Sequence, residues 1–203
     1  PRCHSCGVPL VSEQDHCVRC RSREIHYTTH RAVFAYVGAV RRVIAAYKFA
    51  GRRSLGPLLC GFLARELERS PFRTRVHGGF RDQPGPESQP PLIVPVPASR
   101  GGRRRRGFDQ VDELAAVLER SRGVEVARLL SRGRTGEQKT LDFAGRSRNL
   151  AGAVRVRRGT ELRGRRVILI DDVFTTGATI NECARVLLEA GASRVDAVTL
   201  AAD

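Results

Sequence analysis

Asp171 and Asp172 stand side by side directly after the apolar run Val167-Ile168-Leu169-Ile170, and Val173-Phe174-Thr175-Thr176-Gly177-Ala178-Thr179 follows at once. Two adjacent carboxylates can accept hydrogen bonds from neighbouring hydroxyls of a sugar. The Thr-Thr-Gly-Ala-Thr turn offers hydroxyls and close backbone N–H groups to a phosphate. Four apolar residues, three of them β-branched, read as a buried parallel strand, and ligands of such sheets bind beyond the strands' carboxyl ends. Residues 180–190 predict a helix whose positive end faces the same point. The chemistry this pattern suits is recognition of a phosphorylated sugar. Asp and Thr also cap helices for purely structural reasons, so an ordinary strand-to-helix junction is the alternative. A Rossmann or Walker nucleotide site is set aside, because neither the G-x-G-x-x-G spacing nor a G-K-[ST] ending occurs in this stretch.

A second constellation lies near the start of the chain. Cys3-x-x-Cys6 and Cys17-x-x-Cys20, ten residues apart, form two knuckles whose thiolates can converge on one tetrahedral Zn²⁺. The spacer is shorter than the roughly 15–20 residues of many such sites. With Val8, Leu10 and Val11 as its main apolar members, the segment cannot bury enough surface to stand alone, and metal ligation would supply its order. Disulfides and a redox pair are the alternatives. His4 and His16, beside the knuckles, are expected to be exposed. Cys60 and Cys183 fall on apolar helical faces and read as small core residues.

These groups need elements to position them. Residues 32–37 predict a strand, and two amphipathic helices follow: one through Val40, Val43, Ile44 and Tyr47, the other through Leu55, Leu59, Phe62 and Leu63. Residues 71–91, with prolines and glycines and few core candidates, read as a long loop. Leu92-Ile93-Val94 is the next strand, residues 110–122 a helix capped by Asp109, residues 124–130 a strand, 166–170 the motif strand, and 195–200 a last strand. Strands alternating with helices imply an α/β fold with a mainly parallel sheet flanked by helices. The expected organisation is a small zinc-binding module of four cysteines over 1–24, a strand-helix-helix segment over 25–70 that is a hood or the start of the core, the loop over 71–91, and the core proper over 92–203.

The order of parts at 167–179 resembles the phosphoribosyl diphosphate (PRPP) motif of type I phosphoribosyltransferases. That resemblance implies Asp171 and Asp172 on the ribose 2′- and 3′-hydroxyls, and Thr175, Thr176, Gly177, Ala178 and Thr179 on the 5′-phosphate. Pro95-Val96-Pro97-Ala98-Ser99-Arg100 follows the first core strand at the same sheet edge, where the resembled fold binds pyrophosphate. Ser99 and Arg100 suit that contact by residue type. Mg²⁺ would accompany PRPP, bridging its oxygens. Lys139 or Arg134, in a glycine-containing stretch, would reach in from a closing loop. Taken with Lys48-Phe49-Ala50-Gly51, Arg106-Gly107-Phe108-Asp109-Gln110 and the paired Cys knuckles, the whole order resembles the ComF family. Asp109 departs from that family's usual Asn, and 71–91 has no counterpart in it.

The chain has 203 residues and a net charge of +15, which attracts polyanions. Of its 36 basic residues only Lys48 and Lys139 are lysines. A GC-rich genome explains most of that ratio but not the excess of positive charge. Arg103, Arg104, Arg105 and Arg106 give the pocket mouth a basic rim suited to nucleic acid, and their mutual repulsion argues for a solvated loop rather than a packed segment. No apolar run spans a bilayer and no secretory segment opens the chain, so a cytoplasmic protein is expected. Resemblance to ComF implies a role in DNA uptake during natural transformation, with PRPP or a related ribose phosphate and single-stranded DNA as ligands and a competence helicase as partner. The alternative is an active transferase moving ribose 5-phosphate from PRPP to an acceptor, with release of pyrophosphate.

Overall fold

The computed structural model describes residues 3–8, 10–11, 15–69, 72, 89–133 and 152–203. Its strands are β1 (His30–Ala35), β2 (Leu92–Pro95), β3 (Leu130–Arg132), β4 (Val154–Val156), β5 (Arg166–Phe174) and β6 (Arg194–Ala202). Its helices are α1 (Val18–Arg21), α2 (Gly38–Phe49), α3 (Gly56–Leu67), α4 (Arg100–Arg106), α5 (Gln110–Arg122) and α6 (Ala178–Glu189). Among the described residues no helix is long and apolar enough to cross a membrane.

Four strands form one sheet in the order β1-β6-β5-β2, every neighbouring pair parallel. The two central strands are apolar on both faces, as a sheet covered by helices on each side requires. Ile168, Ile170 and Val198 pack against Ile44, Tyr47, Leu63 and Leu114 of α2, α3 and α5. On the opposite face Val167, Leu169 and Val195 meet Ile180, Cys183 and Leu187 of α6. Cys60 and Cys183 are buried in these two layers as small apolar groups. The α/β architecture with a parallel sheet is the one read from the alternation of elements, and β1 of the 25–70 segment is a member of that sheet.

Local signals explain most of the boundaries. Asp109 accepts hydrogen bonds from Val111 N–H and Asp112 N–H, Asp112 and Glu113 occupy the first turn of α5, and Gly123 ends the helix at φ +62°. The strand expected over 124–130 is different. Only Val126 bridges to Ile93, and the ladder restarts at Leu130–Arg132, antiparallel to Val154–Val156 in a separate two-stranded sheet. Arg128 interrupts the apolar alternation, because its guanidinium turns to Asp112 and Glu119 of α5.

The arginine-rich segment after β2 is also different from expectation: it is helical. Ser99 Oγ accepts from Gly102 N–H at 3.1 Å, and Gly107 closes α4 at φ +75°. Four arginines in its last turn lie where the helix dipole is negative, which offsets their mutual repulsion.

Candidate functional site

Strand β5 does not stop at Ile170 but runs on through both acids to Phe174, so pleating directs Asp171 and Asp172 to opposite faces. Asp172, 4% exposed, faces α2 and α5. Lys48 Nζ lies 3.0 Å from each of its oxygens, and Gln110 Nε2 donates to Oδ2 at 2.7 Å. Tyr47 in turn donates its hydroxyl to the Gln110 carbonyl at 3.0 Å, which fixes the amide's helix turn. Asp171 faces the α6 side, where its Oδ1 accepts from Asp172 N–H at 2.8 Å. Burial, followed by the adjacent Asp172 carboxylate, raises the Asp171 carboxyl from 3.8 to about 8, against the weaker pull of that N–H, Lys48 and Arg132.

Both acids border a cavity of about 190 Å³ whose wall also includes Ser99, Arg106, Gln110, Arg132 and Thr179. Three atoms there, Arg106 Nε, Arg132 Nε and Gln110 Oε1, are buried with no hydrogen-bond partner among the described residues. Burial holds the Arg132 pKa below its ordinary value, while Cys183 and Asp171 oppose the shift. Buried polar atoms are normally satisfied, and the guanidinium groups of Arg106 and Arg132, residues of this wall, are of the type that pairs with an anionic guest. Arg106 folds back over Gly102, where an added Cβ would stand 2.8 Å from Arg106 Nη2 and 3.0 Å from Ser99 Oγ. Arg103, Arg104 and Arg105 are exposed on the outer side of α4. Arg100 opens that helix.

The turn between β5 and α6 admits only glycine at 177. Its φ is +79°, and an added Cβ would lie 2.5 Å from Phe174 Cζ. Thr176 Oγ1 accepts from Ala178 N–H at 3.4 Å, and the first turn of α6 points its remaining orphan N–H groups out of the helix end. Thr179 borders the acids' cavity, whereas Thr175 and Thr176 border a second one of about 320 Å³ shared with Tyr27, Phe34 and Phe174. Phe174 itself is buried against His30, with ring centroids 3.9 Å apart. His30, buried in its turn, titrates well below the ordinary imidazole value, at about 4.

The four knuckle cysteines meet. Their sulfurs lie within 4.8 Å of one another, with Cys6 and Cys17 at 3.7 Å, close to the roughly 3.8 Å edge of a tetrahedron of thiolates around zinc. All four are free thiols. Burial works against the Cys3 thiolate, but N–H groups of Cys17 and Cys6 outweigh it and bring that thiol to about 6. Burial pushes Cys6 up to about 11 and Cys20 higher still, since crowded thiols cannot all ionise without a cation among them. The cluster therefore fits a tetrahedral thiophilic metal. His4 and His16 are exposed, as expected.

Comparison with known proteins decides the family. Residues 102–203 match the family described as phosphoribosyl transferase domain. The chain is 30% identical to the DNA utilization protein YhgH of Escherichia coli K12 over 195 residues, covering 95% of this chain and 80% of that protein. It is 30% identical to the competence protein ComFC of Streptococcus pneumoniae over 174 residues, covering 85% of this chain and 67% of that one. The chain belongs to the phosphoribosyltransferase family, in its ComF branch. Among solved structures it is similar to the glutamine PRPP amidotransferase of B. subtilis, at 18% identity and a TM-score of 0.47 over 77% of this chain; it spans 30% of that enzyme.

In this ComF-family chain, sequence reasoning missed the groups that secure the acids. Lys48 carried a signal, being one of two lysines in an arginine-rich chain. Gln110 sits beside the cap Asp109 in the Arg-Gly-Phe-Asp-Gln run. Asp109 has its own explanation: its two oxygens accept from Ala98, Val111 and Asp112 N–H, three donors that an amide oxygen alone would have to share. Arg132 heads the glycine-containing stretch read as a closing loop, where Arg134 and Lys139 rather than Arg132 were singled out. Arg134 and Lys139, and most of 71–91, lie outside the described residues.

Proposed function

We propose that the cavity beside Asp171 binds PRPP or a related ribose phosphate, and that the basic rim of α4 binds single-stranded DNA. The supporting observation is that Arg106, Arg132 and Gln110, each with a buried atom that has no partner among the described residues, line one 190 Å³ space together with both acids. In this reading Asp171 and Asp172 accept hydrogen bonds from the ribose hydroxyls, with Lys48 and Gln110 holding Asp172 in place. Thr179, on the same cavity, and the helix end that follows Gly177 cradle the 5′-phosphate, while Thr175 and Thr176 complete the bend from the side of the second cavity. Ser99 and Arg100 lie along the pyrophosphate, joined by Arg106 and Arg132, whose guanidinium forks match its oxygens. Mg²⁺, bound with the ligand, would neutralise phosphate charge, and among the described residues at the cavity the pair of acids would supply the anionic oxygens. Zn²⁺ held by Cys3, Cys6, Cys17 and Cys20 orders the module around it.

For the cell, the names of the relatives, a DNA utilization protein and a competence protein, support a part in handling incoming DNA; a helicase of the uptake machinery as partner and a cytoplasmic location are further parts of the same proposal. A second reading is transfer of ribose 5-phosphate from PRPP to an acceptor with release of pyrophosphate. The 320 Å³ chamber on the other side of the bend, with Tyr27 and Phe34 in its wall, favours it as room for a ring.

The test is thermal. PRPP with Mg²⁺ is expected to raise the melting temperature of the parent, and Asp171→Asn combined with Asp172→Asn to remove the shift. A shift that survives the double change places the ligand elsewhere and sinks the reading. Pyrophosphate release on adding candidate bases distinguishes turnover from binding.

A further inference from the structure

We propose that His30 is a positioning residue that ties the Cys module to the phosphate bend, so that metal held by the four thiols and ribose phosphate held at the bend stabilise each other. The inference rests on the zinc and ribose-phosphate readings above and adds a link between them.

The imidazole of His30, on edge strand β1 and 1% exposed, has three neighbours. Nδ1 lies 3.0 Å from the carbonyl oxygen of Cys6. A carbonyl can only accept, so Nδ1 carries the proton and Nε2 is left as an acceptor. Nε2 lies 3.0 Å from Thr199 Oγ1, whose single hydroxyl hydrogen is shared between this nitrogen and the Ala201 carbonyl, also 3.0 Å away. The ring's flat face stacks on Phe174 at 3.9 Å with 17° between the planes. One neutral side chain thus uses both nitrogens and one face.

Each neighbour leads to a different part of the proposed machinery. Cys6 supplies a knuckle thiol, and Gly7 next to it approaches so closely that an added Cβ would meet the His30 carbonyl oxygen at 3.1 Å. Thr199 is the cross-strand partner of Asp171 in the β5–β6 ladder. Phe174 presses on Gly177, the residue that turns the bend. A shift of the knuckle therefore moves the ring, and the ring bears on both the carboxylate strand and the bend. A second tie runs in parallel: Asn181, in the first turn of α6, donates to the Glu24 carbonyl at 3.0 Å and accepts from His26 N–H at 2.7 Å. The segment leaving the Cys module is thereby fastened to the helix that opens at the bend.

Coupling of this kind is reciprocal. If metal that orders the module favours the bound shape of the bend, ligand at the bend must retain metal by the same factor. The measurement is the rate at which the full-length zinc-loaded protein releases zinc to an excess of a colorimetric chelator, with and without PRPP and Mg²⁺. In the parent, PRPP is expected to slow release about fivefold or more. In His30→Leu, the ratio of rates with and without PRPP falls toward one, although PRPP still raises the melting temperature. General loosening of the fold speeds release under both conditions and leaves the ratio intact, so the ratio separates positioning from mere packing. Phe174→Leu keeps the Cys6 hydrogen bond, removes the stacked ring, and is expected to lower the ratio as well. If PRPP raises the parent's melting temperature yet leaves zinc release unchanged, the link is overturned while the ligand site stands; a His30→Leu protein with the full ratio overturns it too. If PRPP fails to shift the parent's melting temperature, the ligand reading itself falls and takes the link with it.

Discussion

Asp171 and Asp172 are neighbours in the chain and opposites in environment. Asp172 has an ammonium on both oxygens and an amide besides, so its charge is balanced inside the protein. Asp171 has burial and a like charge next to it, and its carboxyl is raised from 3.8 to about 8. The sign of the pH effect follows. Between those values the folded state holds a proton that the unfolded chain has lost, so this group's contribution to stability is complete below about pH 4 and is lost as pH rises through 8. Melting curves recorded from pH 5 to pH 9 are expected to show the parent losing stability relative to Asp171→Asn; parallel curves for the two proteins would refute the shift. Lys48 makes the complementary case. Lys48→Met strands a carboxylate that is 6% exposed, and removing one partner of such a pair costs about 3 kcal/mol, read by denaturant unfolding. Adding Asp172→Asn to that variant removes the uncompensated charge and is expected to restore most of the loss.

At the scale of elements, the bend between β5 and α6 is the most constrained junction of the site. Gly177→Ala places a side chain at φ +79° and against the Phe174 ring, costing about 1–2 kcal/mol for the backbone alone. The expected result is a lower melting point together with loss of the PRPP-induced shift; a variant that keeps the full shift would show that the bend does not hold phosphate. How far such elements could be read in advance depended on how local their causes are. Helix α5 was legible from end to end because its cap, its apolar period and its terminal glycine all lie in the same stretch of chain. Helix α4 was not, because repulsion among arginines was weighed without the Ser99 cap and the negative helix end that offset it. Strand β5 was read as far as Ile170 and no further, since Asp-Asp has no strand preference; its extension is held by pairing with β6 and by Lys48 and Gln110, which are 124 and 62 residues away from Asp172. For the same reason the acids and the bend were visible as a motif, while Arg106 was read only as one of four rim arginines and Arg132 was given no role. Which side of a helix or loop turns into a cavity is decided by packing, and packing is not written in spacing.

For the whole molecule, a net charge of +15 makes attraction to any polyanion unsurprising, so affinity for DNA alone would say little about where it binds. Helix α4 offers a sharper distinction, because it sorts four consecutive arginines by direction. Arg103, Arg104 and Arg105 face solvent, and Arg106 borders the cavity with Asp171. If the outer three each neutralise a phosphate of a single strand, replacing all three by Ser lowers the slope of log affinity against log salt by about 2, at roughly 0.7 per phosphate. That triple variant should keep the full PRPP-induced rise in melting temperature. Arg106→Ser should do the reverse, losing much of the PRPP shift and changing the salt slope by less than one. Titrating labelled single-stranded DNA at several salt concentrations, in parallel with thermal melts, yields both numbers for each protein. If the triple variant binds DNA with the parent's affinity and slope, the rim is not the DNA surface and the excess positive charge acts only at long range. If the two sets of arginines affect both ligands alike, α4 works as one undivided basic patch, and the separation of a sugar-phosphate cavity from a nucleic-acid rim fails.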